Sequence, residues 1–564
     1  MELKGFAPAA LIGFIGLNAA MEACAQGGGG SGPVVYQVHG TRRSELGWSL
    51  VLVGDVDRDG SRDFAASSLE ATAGENPGRV DVRSGRSGAV LRTWRFRDGR
   101  VMNGVVAAPD LDGDGGPELC VATEEEFQVL SPVTGKTWYS RPFASAFSGG
   151  RLLSVVVQDI DGDGIEDLVL GQGGADSTAG VGAAGRVSLH SGGSGARLWV
   201  REGTVERGRL GDPLIAAGDH DGDGAADLLT AGVLDDTAGR GVLRSSVHVL
   251  SLMTGVILQS FRPGEDEDAF GRAMASLGDR DGDGFPEVAI AAPLHGSPLN
   301  AEGEGGRTGW VGIFQGPGFH LLHKIEGQDP GTLFFHGSQL GHRLAAVGDL
   351  DRDGVPDLAV GTLLRDTLQF VTMGQLHLYS GSTWKPLTAY SAPQELLAEP
   401  FFETLSPLGD IDGDGWNEFL AAYPLENVKS SDGEIVAAGV IRALRFDPTA
   451  PKFLRGDTSG DGKLNLTDVI LMAHEVAGAL EGKPRSCPAA HDYDADGRID
   501  VDDVLQLVRY LFLGREALQG DPLHPPAPPF PECGRYLRID DRTGLPALPC
   551  DDEGVCAESE AQLR

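Results

Sequence analysis

An acidic pattern recurs seven times along the 564-residue chain, in the form Asp-x-Asp-x-Asp-Gly-x-x-Asp/Glu followed by an apolar residue. Carboxylates at positions 1, 3, 5 and 9 of such a loop can converge on one hard cation. Gly at position 6 allows the sharp turn, and position 7 offers its backbone carbonyl. The predicted ligands are Asp55, Asp57, Asp59 and Asp63; Asp110, Asp112, Asp114 and Glu118; Asp159, Asp161, Asp163 and Asp167; Asp219, Asp221, Asp223 and Asp227; Asp279, Asp281, Asp283 and Glu287; Asp349, Asp351, Asp353 and Asp357; and Asp410, Asp412, Asp414 and Glu418.

The donor set selects the metal. Oxygen-only ligation by several carboxylates favours Ca²⁺ over Mg²⁺, which retains more water, and no His or Cys recurs to suit zinc. Single Asp/Gly turns are common at hairpin ends, but seven copies in register predict calcium. Two carboxylates about 5 Å apart repel by about 3 kcal/mol at an effective dielectric of about 20. We therefore expect the calcium to be mainly structural.

Two further acidic loops follow residue 451 and have twelve positions, with an apolar residue at position 8 and Asp at position 12. They resemble EF-hand loops, in which position 7 binds through its carbonyl. With the seven hairpins they give up to nine predicted calcium sites. Their predicted ligands are Asp457, Ser459, Asp461, Lys463 and Asp468, and Asp492, Asp494, Asp496, Arg498 and Asp503. Helical runs are predicted after each loop, at Val469–Leu480 and Val504–Leu513.

Short apolar, Gly-bounded runs flank each of the seven acidic loops and predict β-strands. Each loop then joins strands one and two of a unit, and strands three and four follow. Seven four-stranded antiparallel units predict a mainly β chain with a seven-bladed β-propeller over residues 34–447. The seventh unit lacks a fourth strand, whereas Val34–Val38 is an extra strand ahead of unit one. We expect it to complete blade seven and close the ring.

Unit five carries an additional signature: Phe270-Gly271 precedes its acidic loop and Val288-Ala-Ile-Ala-Ala-Pro293 follows it. This unit resembles the FG-GAP repeat of the integrin α-subunit propeller, and the resemblance covers about residues 34–447. Other units keep the loop but vary the flanks, as at Leu46-Gly47 and Leu340-Gly341. The resemblance implies the propeller fold, but one fold hosts many functions.

The duplicated loop-and-helix pattern at residues 453–516 resembles a small α-helical, EF-hand-like type I dockerin module. In that family the module binds cohesin domains, mostly to assemble polysaccharide-degrading complexes, so the resemblance implies a cohesin-like partner. Positions 10 and 11, often Ser-Thr in cohesin-binding dockerins, are here Leu466-Thr467 and Val501-Asp502. That departure concerns cohesin binding and leaves the calcium prediction intact.

The ends of the chain predict export. Residues 1–25 have the order of a secretory signal peptide, and residues 26–33 form a Gly/Ser linker. The chain is then secreted or at the cell surface, with a lipid anchor at Cys24 as the less favoured alternative. Residues 517–564 form a Pro/Cys-rich tail, and no run is long enough to predict a transmembrane helix. Cys120 is expected to be a buried thiol, while four later cysteines allow three disulfide pairings: Cys487, Cys533, Cys550 and Cys556.

Charge and motif content narrow the function. A net charge of −36 argues against nucleic acid as a partner. No Ser/His/Asp, HExxH, phosphate-loop or nucleotide signature occurs, so we expect no enzyme. We expect a binding, adhesion or scaffold protein whose extracellular protein or glycan partner lies on the face opposite the calcium loops. Long connections on that face are Gly171–Gly185, Pro293–Thr308 and Tyr423–Gly439. The alternative is a component of a polysaccharide-degrading system docked through residues 453–516.

Overall fold

The computed structural model describes most of the predicted propeller and part of the C-terminal helices. The residues described are 34–41, 43–69, 78–96, 101, 104–123, 126–142, 152–233, 245–262, 269–296, 307–327, 338–365, 372–391, 404–413, 415–429, 435–446, 466–476, 501, 504, 505, 507 and 508. Outside these ranges lie the predicted signal peptide, the linker, the later cysteines and positions 1 to 9 of both C-terminal acidic loops.

Seven four-stranded antiparallel sheets, one for each predicted unit, make up the described β structure apart from one two-stranded hairpin. The strands of the first four blades are β2 Leu50–Gly54, β3 Asp63–Leu69, β4 Gly78–Arg83 and β5 Val90–Phe96; β6 Val105–Ala107, β7 Leu119–Ala122, β8 Glu126–Leu130 and β9 Thr137–Pro142; β10 Leu152–Val157, β11 Asp167–Gln172, β12 Arg186–His190 and β13 Arg197–Glu202; and β14 Leu214–Gly218, β15 Asp227–Gly232, β16 Ser246–Leu250 and β17 Ile257–Phe261. Those of the last three are β18 Met274–Ser276, β19 Val288–Ala292, β20 Trp310–Gln315 and β21 His320–Glu326; β22 Arg343–Ala346, β23 Leu358–Arg365, β24 Thr372–Tyr379 and β25 Pro386–Ser391; and β26 Thr404–Gly409, β27 Glu418–Tyr423, β30 Val440–Arg445 and β1 Val34–His39.

The ring closes through the first strand of the chain. β1 pairs with β30 in antiparallel register, with Val38 opposite Ile441, and the seventh sheet has the order β1-β30-β27-β26. The first strands of neighbouring blades pack against one another around the ring, and β26 packs against β2. The prediction that the N-terminal strand completes blade seven is confirmed.

The core lies between the blades. Each of seven buried apolar clusters draws its side chains from two neighbouring blades, and the cluster between blades four and five contains Phe270, Trp310 and Phe314. Second strands such as β19 are buried throughout. Fourth strands lie at the rim, where Leu321 of β21 is 51% exposed. Burial on both faces explains why a second strand such as β19 is a continuous apolar run without polar alternation.

Two features differ in detail from the sequence expectation. The connection predicted over Tyr423–Gly439 contains a small hairpin, β28 Asn427–Lys429 and β29 Ile435–Ala437. The helix expected from Val469 begins three residues earlier, as α1 Leu466–Val476, since Leu466 and Thr467 continue the helical backbone.

Helical residues also lie near position 505. Met472 of α1 is buried in a small cluster with Leu507, so the two predicted helical runs contact each other. Within the described ranges, no helix combines the length and apolar character needed to cross a membrane.

Candidate metal centres

Each acidic loop lies where strand one turns into strand two. Asp55 directly follows β2, and Asp63 is the first residue of β3. Carboxylate oxygens of the loops converge, each to within 4.8 Å of the others in its group. Five of these groups are Asp55, Asp57 and Asp63; Asp110, Asp112, Asp114 and Glu118; Asp159, Asp161 and Asp167; Asp219, Asp221 and Asp227; and Asp279, Asp281 and Asp283.

The backbone of each loop is folded around its own carboxylates. In blade one, Asp55 accepts hydrogen bonds from the N–H groups of Asp59 and Gly60, both at 3.0 Å. Asp57 accepts from Asp59 at 3.1 Å, and Asp59 accepts from Ser61 at 2.9 Å. These Asx-type turns fix the side chains at positions 1, 3 and 5 before any ion binds. One oxygen of Asp57 and one of Asp59 remain outside these turns and can face a cation.

Backbone conformation explains the repeated glycine. All seven glycines at position 6 have φ between +86° and +92°, which confirms the predicted turn. Position 4 is also left-handed, a feature that we did not predict. It is glycine in five loops, whereas Arg58 and Arg352 adopt φ of 64° and 62° in the other two. The sequence signal was the frequent Gly at this position.

The position-9 carboxylates are the most buried members of the pattern. One Asp63 oxygen accepts the Val56 N–H at 2.7 Å, and the other accepts the Gly85 N–H at 2.9 Å. Paired bonds of the same kind occur at Asp167, Asp227 and Asp357. In these four blades the position-9 carboxylate therefore joins the acidic loop to the turn between strands three and four. In blades one to four the position-9 residue is also a member of the converging carboxylate group.

Glutamate replaces aspartate at position 9 in three blades. Glu118 accepts the Leu111 N–H at 2.5 Å, while its Oε1 is buried and has no hydrogen-bond partner among the described residues. Burial raises the pKa of Glu118 to about 7 against the lowering effect of the Leu111 N–H, and Asp112 and Asp114 add to the rise. A buried carboxylate that lacks a countercharge in this way fits a cation site.

The same electrostatic signature recurs around the ring. Burial raises the pKa of Asp357 to about 7, with a further contribution from Asp351. It also raises the pKa of Asp63, Asp167, Asp227 and Glu287. Because the five named groups contain only carboxylates, their chemistry suits a hard divalent ion. The aspartates at positions 1 and 3, with the carboxylate at position 5, at position 9 or at both, would hold it.

No known family model matches the chain. Individual proteins do match it. The chain is 31% identical to integrin alpha-V of Gallus gallus over 238 residues, which are 40% of this chain and 22% of that protein. It is 33% identical to integrin alpha-4 of Xenopus laevis over 161 residues, and 30% identical to integrin alpha-5 of Xenopus laevis over 282 residues. The propeller is integrin α-like. The matches to integrin alpha-4 and integrin alpha-5 cover 27% and 45% of this chain and 14% and 25% of those proteins, so the chain spans far less than the full length of the relatives.

Serines in the turn between strands three and four bond to aspartates of the acidic loops. The sequence pattern did not predict this contact. Ser131 donates to the second oxygen of Asp114 at 2.8 Å. Longer bonds join Ser84 to Asp59, Ser191 to Asp163 and Ser380 to Asp353. The signal was present as a repeated Ser/Thr-Gly turn, which had been assigned only to strand connection.

Several predicted ligands lie outside the described residues, and calcium binding stays a prediction for them as it does for the described ligands. These are Asp414 of blade seven and, in the C-terminal loops, Asp457, Ser459, Asp461, Lys463, Asp492, Asp494, Asp496, Arg498 and Asp503. The backbone of Asp468 belongs to α1, but its side chain is likewise outside the description. Cys120, in contrast, is described and is a buried free thiol, as predicted.

Proposed function

We propose that this chain is an exported calcium-binding propeller that acts as a non-enzymatic binding, adhesion or scaffold protein. The observation that carries the proposal is the convergence of carboxylates at the one-to-two hairpins of an integrin α-like ring. Calcium would offset two of the negative charges of each group and hold the hairpin against the neighbouring turn. The predicted leader at residues 1–25 supports export, and up to nine ions would be bound by the seven hairpins and the two C-terminal loops.

The partner is proposed to bind the face opposite the calcium loops. The bond between Asp63 and Gly85 shows that one-to-two loops and three-to-four turns share a face. The longer connections therefore lie at the other face. One of them, over residues 173–185, is braced where Thr178 and Arg186 bond to Glu202 at 2.7 and 2.8 Å. A long connection held in one conformation provides a defined surface for an extracellular protein or glycan.

The carboxylates and histidines that could serve in acid–base catalysis take part in other interactions. The proposed calcium sites account for the clustered carboxylates, so these groups are not also evidence for the paired catalytic acids of a glycosidase. Among the histidines, His190 is buried and bonds Ser188 and the Gly195 carbonyl at 2.9 and 3.3 Å. These uses support a role without catalysis.

For residues 453–516 we propose a calcium-binding module of paired loops and helices. The contact between Met472 and Leu507 supports the pairing. A cohesin-like partner, and with it a place in a polysaccharide-degrading system, is the second candidate, and a direct pull-down with cohesin domains tests it.

Binding arrays test the leading proposal. The full mature chain is applied, in calcium and in chelator, to arrays of glycans and of extracellular proteins. We expect saturable binding in calcium that is lost in chelator, with no change in the bound glycans on prolonged incubation. Turnover of a glycan, or the absence of binding on both arrays, would contradict the proposal.

A further inference from the structure

Blade two differs from the other six blades in the turn between strands three and four. In blades one, three, four and six, the second oxygen of the position-9 aspartate accepts a backbone N–H of this turn at 2.8 to 3.1 Å; the donors are Gly85, Gly192, Leu252 and Gly381. By strand register, the same position is occupied by Pro132 in blade two, and by Gly316 and Phe446 in blades five and seven. Pro132 is therefore the one residue of the seven that cannot donate an N–H.

One carboxylate oxygen of Glu118, the position-9 residue of blade two, lacks the bond that the aspartates make. Glu118 is 0% exposed. Its Oε2 accepts the Leu111 N–H, whereas its Oε1 is buried and has no hydrogen-bond partner among the described residues. Burial of a polar atom costs free energy unless a hydrogen bond or a cation compensates. In the four aspartate blades the turn provides this compensation, and in blade two a ligand has to provide it.

Glu118 also belongs to the largest of the five named carboxylate groups. Four carboxylates converge in blade two, whereas three converge in each of the other four groups. Blade five likewise has a glutamate at position 9, but its group consists of positions 1, 3 and 5 and does not include Glu287. An oxygen of Glu118 thus lies within 4.8 Å of an oxygen of each loop aspartate of blade two, so the buried side chain is aimed into the group.

The blade-two loop is braced around these carboxylates. Asp110 accepts the N–H groups of Gly113 and Gly115 at 2.8 and 3.0 Å. Ser131, next to Pro132, donates to the position-5 aspartate at 2.8 Å, whereas the corresponding serine bonds of blades one, three and six are 3.3 to 3.4 Å long. In calcium-binding loops, the number of charged ligands and the rigidity of the site set the affinity.

We propose that blade two contains a high-affinity calcium site, in which Glu118 binds the ion through Oε1 and which fills before the hairpins of blades one, three, four and five; this inference rests on the proposed function. An ion in blade two gains a fourth carboxylate and gives a buried oxygen its missing partner. In the aspartate blades the same oxygen is already bonded to the turn, so an ion gains less there. Blade two then retains its ion in dilute calcium, while the other four hairpins respond to the calcium concentration.

Equilibrium dialysis of the full mature chain against calcium buffers, followed by elemental analysis of the bound calcium, tests this order of filling. The free calcium is set to saturation and then to the concentration at which the parent chain has released half of its ions. At the lower concentration we expect E118Q to retain one ion fewer than the parent, because its blade-two site is at least tenfold weaker. E118D combined with P132G re-creates the aspartate and the N–H donor of blade one. This double variant should bind the full number of ions at saturation and one fewer at the lower concentration.

E206Q is the matched control, because Glu206 is exposed and the substitution removes the same charge; it should match the parent at both concentrations. D57N should lose an ion at saturation but none at the lower concentration, because blade one has already released its ion there. Melting temperatures at saturating calcium check that each variant folds. Equal retention by E118Q and the parent at the lower concentration, or an ion lost there by D57N, would overturn the inference and leave the proposed function in place. A parent chain that binds no calcium at saturation would overturn both.

Discussion

At residue scale, the position-9 carboxylate combines a structural role with membership of the candidate metal groups. Asp63 accepts the Val56 and Asp57 N–H groups from its own loop and one N–H from the turn between strands three and four, yet it lies in the same carboxylate group as Asp55 and Asp57. The sequence pattern predicted a carboxylate at position 9 and its grouping with the other carboxylates of the loop. The bond to Gly85 could not be predicted, because it joins residues 22 apart across the completed blade.

Asp57→Asn isolates metal binding from loop folding. The new amide oxygen can still accept the Asp59 N–H, whereas the second carboxylate oxygen is replaced by an NH₂ group that repels a cation. We expect one calcium ion fewer by native mass spectrometry. At a calcium concentration 100 times the dissociation constant, the lost stabilisation is about 2.7 kcal/mol.

Glu206→Gln is the matched control for this substitution, because Glu206 is exposed and the change removes the same charge. It should leave both the calcium count and the stability in calcium unchanged. In chelator, Asp57→Asn should cost nothing relative to the parent chain. An unaltered calcium count in Asp57→Asn would argue against a site in blade one.

A buried histidine predicts a pH dependence. Burial lowers the pKa of His190 to about 4, whereas an unfolded chain has the ordinary value of about 6.5. Between these values the unfolded state binds more protons, so stability falls as pH falls from about 6.5 to 4. The contribution is of order 3 kcal/mol. His190→Gln should flatten this slope in denaturant titrations at saturating calcium, whereas His320→Gln, at an exposed position, should leave it unchanged.

At element scale, the chain closes its ring by pairing its first strand, β1, with β30, about 400 residues later in the sequence. Tyr36 of β1 donates to the Gly85 carbonyl of blade one at 2.7 Å, so β1 also joins blade seven to blade one. The pairing was predictable because unit seven lacked a fourth strand and Val34–Val38 was left over. The exact register was not, since it depends on the bulge between Val34 and Tyr36.

Removal of β1 tests closure. A mature chain that begins at Gly40 exposes the β30 edge, whereas the control that begins at Val34 does not. We expect the shorter chain to lose roughly 3 to 5 kcal/mol from the burial of Tyr36 and Val38 and the hydrogen bond to Gly85. It should also self-associate through the open edge, as measured by light scattering. A monomeric short chain of undiminished stability would contradict this role for β1.

At the scale of the whole molecule, repetition is what made the fold predictable. The seven acidic loops predicted seven blades. They also predicted that the candidate ligands lie on one face, because the first and second strands run in the same directions in every blade. The exception in blade two was not predictable in this way. Pro132 bears on Glu118 only because the completed blade places its turn beside the acidic loop, where Ser131 bonds to Asp114.

Charge balance connects these scales. Each hairpin concentrates carboxylates that repel one another, and arginines offset this repulsion only in part, as where Arg445 pairs with Asp412 at 3.2 Å. Divalent ions at seven positions would then stabilise every blade and, through the packing of neighbouring blades, the ring. Sodium chloride should replace calcium only poorly, because screening lowers the repulsion without providing coordination.

Thermal unfolding of the full mature chain in millimolar calcium and in excess chelator is the most direct test. We expect chelation to lower the Tm by roughly 10 °C or more, because several sites lose their ligand together, and calcium but not sodium should restore it. Identical melting curves under the two conditions, with no calcium found on the protein by elemental analysis, would contradict the calcium-dependent propeller.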